Sequence, residues 1–179
     1  MISLVSDYRN AIDMMRELVL KELVGGLWHT THPDRFTKIL ETGGISPEPD
    51  IPEKERWGTR DGRESSSYVR FIGGVSLFDL YEFEPESYTD IFPSSSWHYF
   101  IPFHMMWGCA VWIEINRDQV GSHLISPTEL KNRWESEKAY RNRTMPGIEA
   151  AYMGVLPRTA FKRAFMVRKE DAKLHPLEI

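Results

Sequence analysis

The chain of 179 residues lacks several features that would narrow its function at once. Its single cysteine, Cys109, excludes an intramolecular disulfide and favours a reducing compartment, so we expect a cytoplasmic protein. No apolar run reaches the roughly 18 residues of a membrane span, and the pattern of a signal peptide is missing from Met1 to Arg9. The net charge of −4 excludes an overall basic field that would attract nucleic acid or an anionic membrane.

Familiar nucleotide-binding motifs are also missing. Gly73-Gly74 is too short to cradle a phosphate, and neither a P-loop nor a dinucleotide fingerprint occurs. The apolar neighbours of Cys109 raise the pKa of a thiol and so argue against a cysteine nucleophile. What remains is the ordinary composition of a globular protein, with 41% hydrophobic and 27% charged residues, and enough chain to bury one core.

Hydrophobic spacing in the first third predicts helices and one short strand. Tyr8, Ile12, Met15 and Val19 lie on one helical face, which predicts an N-terminal helix over residues 4–24. A strand is expected at 27–31. The next helix has Pro33 in its first turn and ends at Gly43-Gly44. A long mobile loop is expected over 47–67, which is rich in proline, glycine and charge.

The rest of the chain predicts mostly strands. They are expected at 68–72, 75–78, 109–115, 147–155 and 160–167. Residues 82–108 mix acids with aromatic residues and indicate an irregular region. Ser126 to Glu129 form a capping box with proline at the first helical position, which begins a helix to about Lys138. The order predicts one α+β domain spanning 1–179.

The segment Trp28-His29-Thr30-Thr31-His32-Pro33 places polar side chains at the end of a buried strand, where a ligand can reach them. The pair His29 and His32 also suggests a metal site, with His98, His104 and Cys109 as further ligands. Two residues three apart on a strand point to opposite faces, which opposes a joint site. This geometry favours His32 as the residue that precedes the helix.

Glu149 is the candidate acid, because it stands where a polar loop meets a strand. The alternative is an exposed glutamate in solvent. The preceding Arg141, Asn142 and Arg143 form a small basic patch that either solvates the loop or contacts a substrate. The aromatic run 97–107 is either a buried core segment or a lid or substrate platform, since bases stack on aromatic faces.

Two parts of the chain resemble the histidine-type branch of the ADP-ribosyltransferases, which includes poly-ADP-ribosyl transferases and DNA-modifying bacterial toxins. His29-Thr30, followed by a helix and Gly44-Ile45, looks like the NAD-binding opening of that family. Ile148-Glu149-Ala150 looks like its late catalytic strand. The resemblance covers about 27–45 and 140–167, and implies one α+β domain of two small packed, mostly antiparallel sheets with flanking helices.

The resemblance implies a role for each polar candidate at the two matched segments. Glu149 would be the catalytic residue, because a carboxylate stabilises the positive charge that develops when the nicotinamide–ribose bond breaks. The same carboxylate would hold a ribose hydroxyl. His29 and Thr30 would bind NAD, through a hydrogen bond to the adenosine ribose and through backbone groups that hold the nicotinamide amide.

Further contacts are implied between and around these segments. Ser76 would pack against nicotinamide, with Tyr68 as the second candidate. Arg70 would meet the pyrophosphate, since guanidinium suits phosphate geometry. Arg141 and Arg143 would contact the acceptor.

The expected function is therefore NAD-dependent transfer of ADP-ribose to a macromolecular acceptor, protein or nucleic acid, in a toxin or defence setting. Gly147 stands where members that modify arginine or asparagine carry Glu or Gln, which argues against those two targets. The alternatives are an NAD glycohydrolase, and a non-catalytic binding or immunity-type protein that retains the fold. No metal, membrane or further cofactor is expected.

Overall fold

The computed structural model describes residues 2–52, 66–104 and 106–179. The strands in this part of the chain are β1 (Leu27–Thr31), β2 (Gly44–Ile45), β3 (Gly74–Asp79), β4 (Cys109–Ile115), β5 (Leu124–Ile125), β6 (Glu149–Met153), β7 (Leu156–Pro157), β8 (Phe161–Arg168) and β9 (Asp171–Leu177). Seven of them form one antiparallel sheet in the order β5-β6-β3-β1-β4-β8-β9, and β2 pairs with β7 in a separate ribbon.

Helices flank these sheets. They are α1 (Ile2–Leu23), α2 (Pro33–Thr42), α3 (Tyr68–Phe71), α4 (Pro85–Ile91), α5 (Arg117–Val120) and α6 (Pro127–Ser136). Local chemistry determines the ends of α2: the Asp34 N–H donates to the His32 side chain at the start, and Gly43 adopts a φ of 79° at the end.

The main sheet separates two apolar clusters. On β4, Trp112 belongs to the cluster that contains Trp28 and Val19 of α1, whereas Val111 belongs to the cluster that contains Phe36 of α2. This alternation follows from the pleat of a strand, which points successive side chains to opposite faces. Both faces of the central strands are therefore buried.

The central sheet divides between β1 and β3. The two strands share two residue pairs, the second of which is Trp28–Phe78. On its other side β1 stays paired with β4 as far as Thr31, and β3 stays paired with β6 as far as Gly74. No ladder pair joins β1 to β3 beyond Trp28–Phe78 in the described residues. We call this opening the fork.

The predicted α+β class is confirmed, with one seven-stranded and one two-stranded sheet. The strands predicted at 27–31 and 109–115 have those bounds in the structure, and the N-terminal helix differs from its predicted bounds by two residues at most. The strand predicted at 68–72 is wrong. Ser67 accepts a hydrogen bond from the Arg70 N–H there, and this cap favours a helical turn, α3, over an extended segment.

The structure also bears on the predictions for the irregular region, the mobile loop and the end of the chain. The region 82–108 is not wholly irregular, since it contains α4 and a 3₁₀ turn at Trp97–Tyr99. Residues 53–65 of the predicted mobile loop lie outside the described residues. β9 was not predicted. Within the described part of the chain, no helix combines the length and the apolar character needed to cross a membrane.

Candidate functional site

A pocket of about 620 Å³ opens at the fork. This volume lies within the range of roughly 300–1,000 Å³ that is typical of small-molecule and cofactor sites. Both arms of the sheet and the segment after β2 contribute to its wall. The lining includes His29, Thr30, Glu48, Arg70, Ser76 and Glu149. Five of these six residues are the ones that the resemblance assigned to catalysis or to NAD.

Glu149 begins β6 and is only 3% exposed, so the interpretation as a solvated strand-end residue fails. Its Oε1 accepts a hydrogen bond from Ser76 Oγ at 2.7 Å, and its Oε2 accepts one from the Met145 N–H at 2.9 Å. Burial raises the pKa of Glu149, against the opposing effect of these hydrogen bonds and of one from Thr144. The carboxyl group is thus held in one orientation, in a setting of low polarity.

Ser76 also orients His29. The Nδ1 atom of His29 lies 3.0 Å from the Ser76 carbonyl oxygen. Because a carbonyl only accepts hydrogen bonds, Nδ1 carries the proton, and Nε2 of the neutral ring is an acceptor. Burial lowers the pKa of His29, which favours this neutral form. An acceptor nitrogen in the pocket wall suits a sugar hydroxyl.

Thr30 lies beside His29 on the same arm of the fork. Among the described residues, its Oγ1 is the one buried side-chain oxygen or nitrogen without a hydrogen-bond partner. Such an atom costs about 1–3 kcal/mol unless it is satisfied. A polar ligand that enters the fork can supply the partner.

Arg70 reaches the pocket from α3. Its side chain is 11% exposed, and it forms two hydrogen bonds with Glu48: Nε to Oε1 at 3.1 Å and Nη2 to Oε2 at 3.2 Å. Parallel bonds of this kind are the geometry in which arginine binds a carboxylate or a phosphate. The pocket therefore contains a guanidinium that is prepared for an anion.

Aromatic rings form another part of the pocket wall. Phe78, Phe100 and Trp107 line it. Phe78 and Phe100 meet edge to face at 5.6 Å between ring centroids, and the guanidinium of Arg35 lies 5.3 Å from the Trp107 ring centroid. The interpretation of the run 97–107 as a core segment holds for Phe100, which belongs to a core cluster and also borders the pocket.

Three predicted residues are not brought to this pocket. Tyr68 is fully buried in α3, and its hydroxyl donates to Glu137 at 2.7 Å, so it does not border the space where nicotinamide was expected. Arg141 and Arg143 are exposed on the segment before β6 and are absent from the lining. The main chain of Arg143 instead pairs with that of Ser66 and Tyr68.

The competing metal interpretation gains no support from the geometry. His32 is the N-cap of α2, as its place before Pro33 indicated. Among the described residues no group of three or more His, Cys, Asp or Glu side chains is close enough to hold a metal ion. Burial raises the pKa of the Cys109 thiol, in line with its apolar sequence neighbours.

Sequence reasoning missed two parts of the site. Glu48 was counted only within a charged loop, and nothing in its local sequence indicates an arginine partner. The Met145 N–H was also missed, although Pro146-Gly147 signals the turn that brings this amide to Glu149.

The arrangement can bind a polar ligand with hydroxyl and anionic groups, and it can place a carboxylate against a developing positive charge.

No protein-family model matches this chain, and no curated protein matches it significantly.

Proposed function

We propose that the chain cleaves NAD in the fork and transfers ADP-ribose to a macromolecular acceptor. The observation that carries this proposal is the position of Ser76, which contacts His29 through its carbonyl and Glu149 through its hydroxyl. The two residues that the family resemblance pairs lie far apart in sequence, yet they border one pocket.

The chemistry of each wall fits one part of NAD. Nε2 of His29 accepts a hydrogen bond from a ribose hydroxyl, and the guanidinium of Arg70 binds the pyrophosphate. As the bond from ribose C1 to the nicotinamide nitrogen breaks, its electron pair leaves with nicotinamide. The Glu149 carboxylate stabilises the positive charge that remains on the ribose. A nucleophile of the acceptor then bonds to C1 and loses its proton.

The raised pKa of Glu149 is compatible with this role. A buried carboxyl group in an empty pocket favours its neutral form, whereas the cationic nicotinamide ring of NAD favours the carboxylate. Binding of the substrate therefore promotes the charge state that the reaction needs. The carboxylate then acts in a site of low polarity, where charge stabilisation is strongest.

The acceptor and its compartment also belong to the proposal. Arg141 and Arg143 are exposed just before β6, and they are suited to contact an acceptor, of which a nucleic acid phosphate is one candidate. The free Cys109 supports a reducing, cytoplasmic setting.

Incubation of the purified protein with NAD labelled in the adenine part tests the proposal. We expect nicotinamide release, with label transferred to DNA, RNA or protein from a cell extract. Free ADP-ribose as the sole product would indicate a glycohydrolase instead. Glu149→Gln should lower the rate roughly 100-fold or more.

The matched control is Glu114→Gln, which changes another buried carboxylate. Glu114 is 6% exposed, is paired with Lys162 and Arg163, and lies outside the pocket. This variant should lose stability but keep its rate per folded molecule. The proposal fails if no nicotinamide is released, or if the Glu149 variant is as active as the Glu114 variant.

A further inference from the structure

Glu48 occupies the anion-binding side of Arg70 inside the proposed NAD pocket. It lies just after β2, and its carboxylate takes both hydrogen bonds described above. A phosphate oxygen pair would use the same two nitrogens in the same geometry. Carboxylate and phosphate therefore cannot both bind Arg70 in this way.

The backbone around Glu48 is restricted while its side chain remains accessible. Pro47 and Pro49 flank it, and a residue before proline is confined to extended conformations. The Glu48 N–H donates to Ser46 Oγ at 3.2 Å. The side chain of Glu48 is 45% exposed, compared with 11% for Arg70. Of the two side chains, that of Glu48 is therefore the one with room to rotate away, whereas the Arg70 guanidinium is largely enclosed by the wall.

We propose that Glu48 is a specificity-determining residue that competes internally with the phosphate groups of the ligand for Arg70. The inference rests on the proposed function for its ligand, NAD, but concerns a contact that can be measured without catalysis. A ligand with a diphosphate displaces Glu48 and gains the two hydrogen bonds. A ligand without phosphate leaves the ion pair in place and gains nothing from Arg70.

The size of the effect follows from exposure. Ion pairs that reach solvent are worth at most about 1 kcal/mol, so removing the competitor should tighten phosphate binding about two- to sixfold. The test is titration calorimetry of the full chain with inorganic pyrophosphate, with ADP-ribose and with adenosine, at constant ionic strength. We expect Glu48→Gln to bind pyrophosphate and ADP-ribose more tightly by that factor, and adenosine as before.

Two further variants isolate the contact. Asp50→Asn removes one negative charge two residues along, from a side chain that forms no ion pair with Arg70 within the described residues, and so measures the general charge effect. Its gain should be smaller than that of Glu48→Gln. Combining Arg70→Ala with Glu48→Gln should abolish the gain. The inference is overturned if Glu48→Gln weakens pyrophosphate binding, leaves it unchanged, or matches Asp50→Asn.

Failure of this inference and failure of the proposed function are distinguishable. Tighter pyrophosphate binding by Glu48→Gln, without cleavage of NAD by the wild-type protein, would support competition by Glu48 for Arg70 and refute the proposed enzymatic activity. Cleavage of NAD, with no change in phosphate affinity, would do the reverse.

Discussion

Ser76 connects the two side chains on which the proposed chemistry depends. Its hydroxyl donates to Glu149 at 2.7 Å, and its carbonyl accepts from the His29 ring at 3.0 Å. The first of these contacts lowers the pKa of Glu149 and so partly offsets the effect of burial. A serine at this position therefore influences both the orientation and the charge state of the carboxyl group.

Replacement of Ser76 with alanine should shift the pH dependence of the reaction. Without the hydroxyl, the pKa of Glu149 rises further, so the loss of activity on acidification begins at a higher pH. The rate at neutral pH should fall about tenfold, the scale of a hydrogen bond to a charged group. Nicotinamide release measured from pH 5 to 8 checks this prediction.

Ser95→Ala is the matched control, because it removes another buried hydroxyl, one paired with Tyr88 and outside the pocket. Its acid limb should coincide with that of the wild type. If the Ser76 profile coincides as well, the proposed link between Ser76 and the charge of Glu149 is refuted.

Glu149 should also lower the stability of the empty protein at neutral pH. Its folded-state pKa is raised, so the folded protein binds more protons than the unfolded chain between the ordinary and the raised pKa. The free energy of unfolding therefore decreases as pH rises through this window. Glu149→Gln removes that cost, since an amide can accept from Met145 and donate to Ser76.

Differential scanning calorimetry at several pH values measures this effect. At pH 7 we expect Glu149→Gln to melt at a higher temperature than the wild type, because the amide carries no charge that burial disfavours. The difference should shrink below the ordinary glutamate pKa, where the carboxyl group is neutral in both states. A lower melting temperature at pH 7 would contradict the assignment.

At the residue level, the local sequence predicted the element in which a residue lies better than it predicted the burial and the contacts of that residue. The start of a strand at Glu149 follows from its neighbours, but its burial depends on Ser76 and on the turn at Met145. Arg70 was assigned to an anion from its chemistry alone. Its actual partner, Glu48, lies in a segment whose pattern indicated only a loop.

The element that shapes the site is the fork between β1 and β3. Both strands were predicted from the sequence, yet the point at which they part is a property of pairing between distant segments. At the segment that begins with Tyr68, the type of element itself could not be predicted from the apolar pattern. A short apolar run is compatible with strand and helix alike, and only the Ser67 cap and Gly73, with a φ of 78°, favour the helical turn that carries Arg70.

Two adjacent glycines at the end of α2 should respond differently to alanine. At Gly43 a Cβ atom meets nothing within 4 Å, but φ is 79°, so alanine should cost about 1 kcal/mol through backbone strain alone. At Gly44 a Cβ atom would lie 2.5 Å from the Leu156 carbonyl oxygen, so the β2–β7 ribbon must shift. Gly44→Ala should therefore cost more.

Urea unfolding of both variants gives the comparison. Because Gly44 borders the pocket, its variant should also bind ADP-ribose less tightly, whereas Gly43→Ala should keep most of its affinity. Equal losses of stability at the two positions would contradict the packing described here.

On the scale of the whole molecule, the α+β class was predictable because the first third of the chain has the pattern of helices around one short strand, whereas the rest has mostly the pattern of strands. The gathering of His29, Ser76, Arg70 and Glu149 in one pocket was expected only through the family resemblance. Periodicity assigns residues to elements but does not say which strands become neighbours. The order β6-β3-β1, which brings these side chains together, came from the structure.

Binding of NAD in the fork is tested most directly by a crystal structure of Glu149→Gln with intact NAD. We predict the nicotinamide ribose beside the side chain at position 149, a ribose hydroxyl at His29 Nε2, and the pyrophosphate on Arg70. NAD bound elsewhere on the molecule, or a fork that stays empty at saturating NAD, would contradict the account.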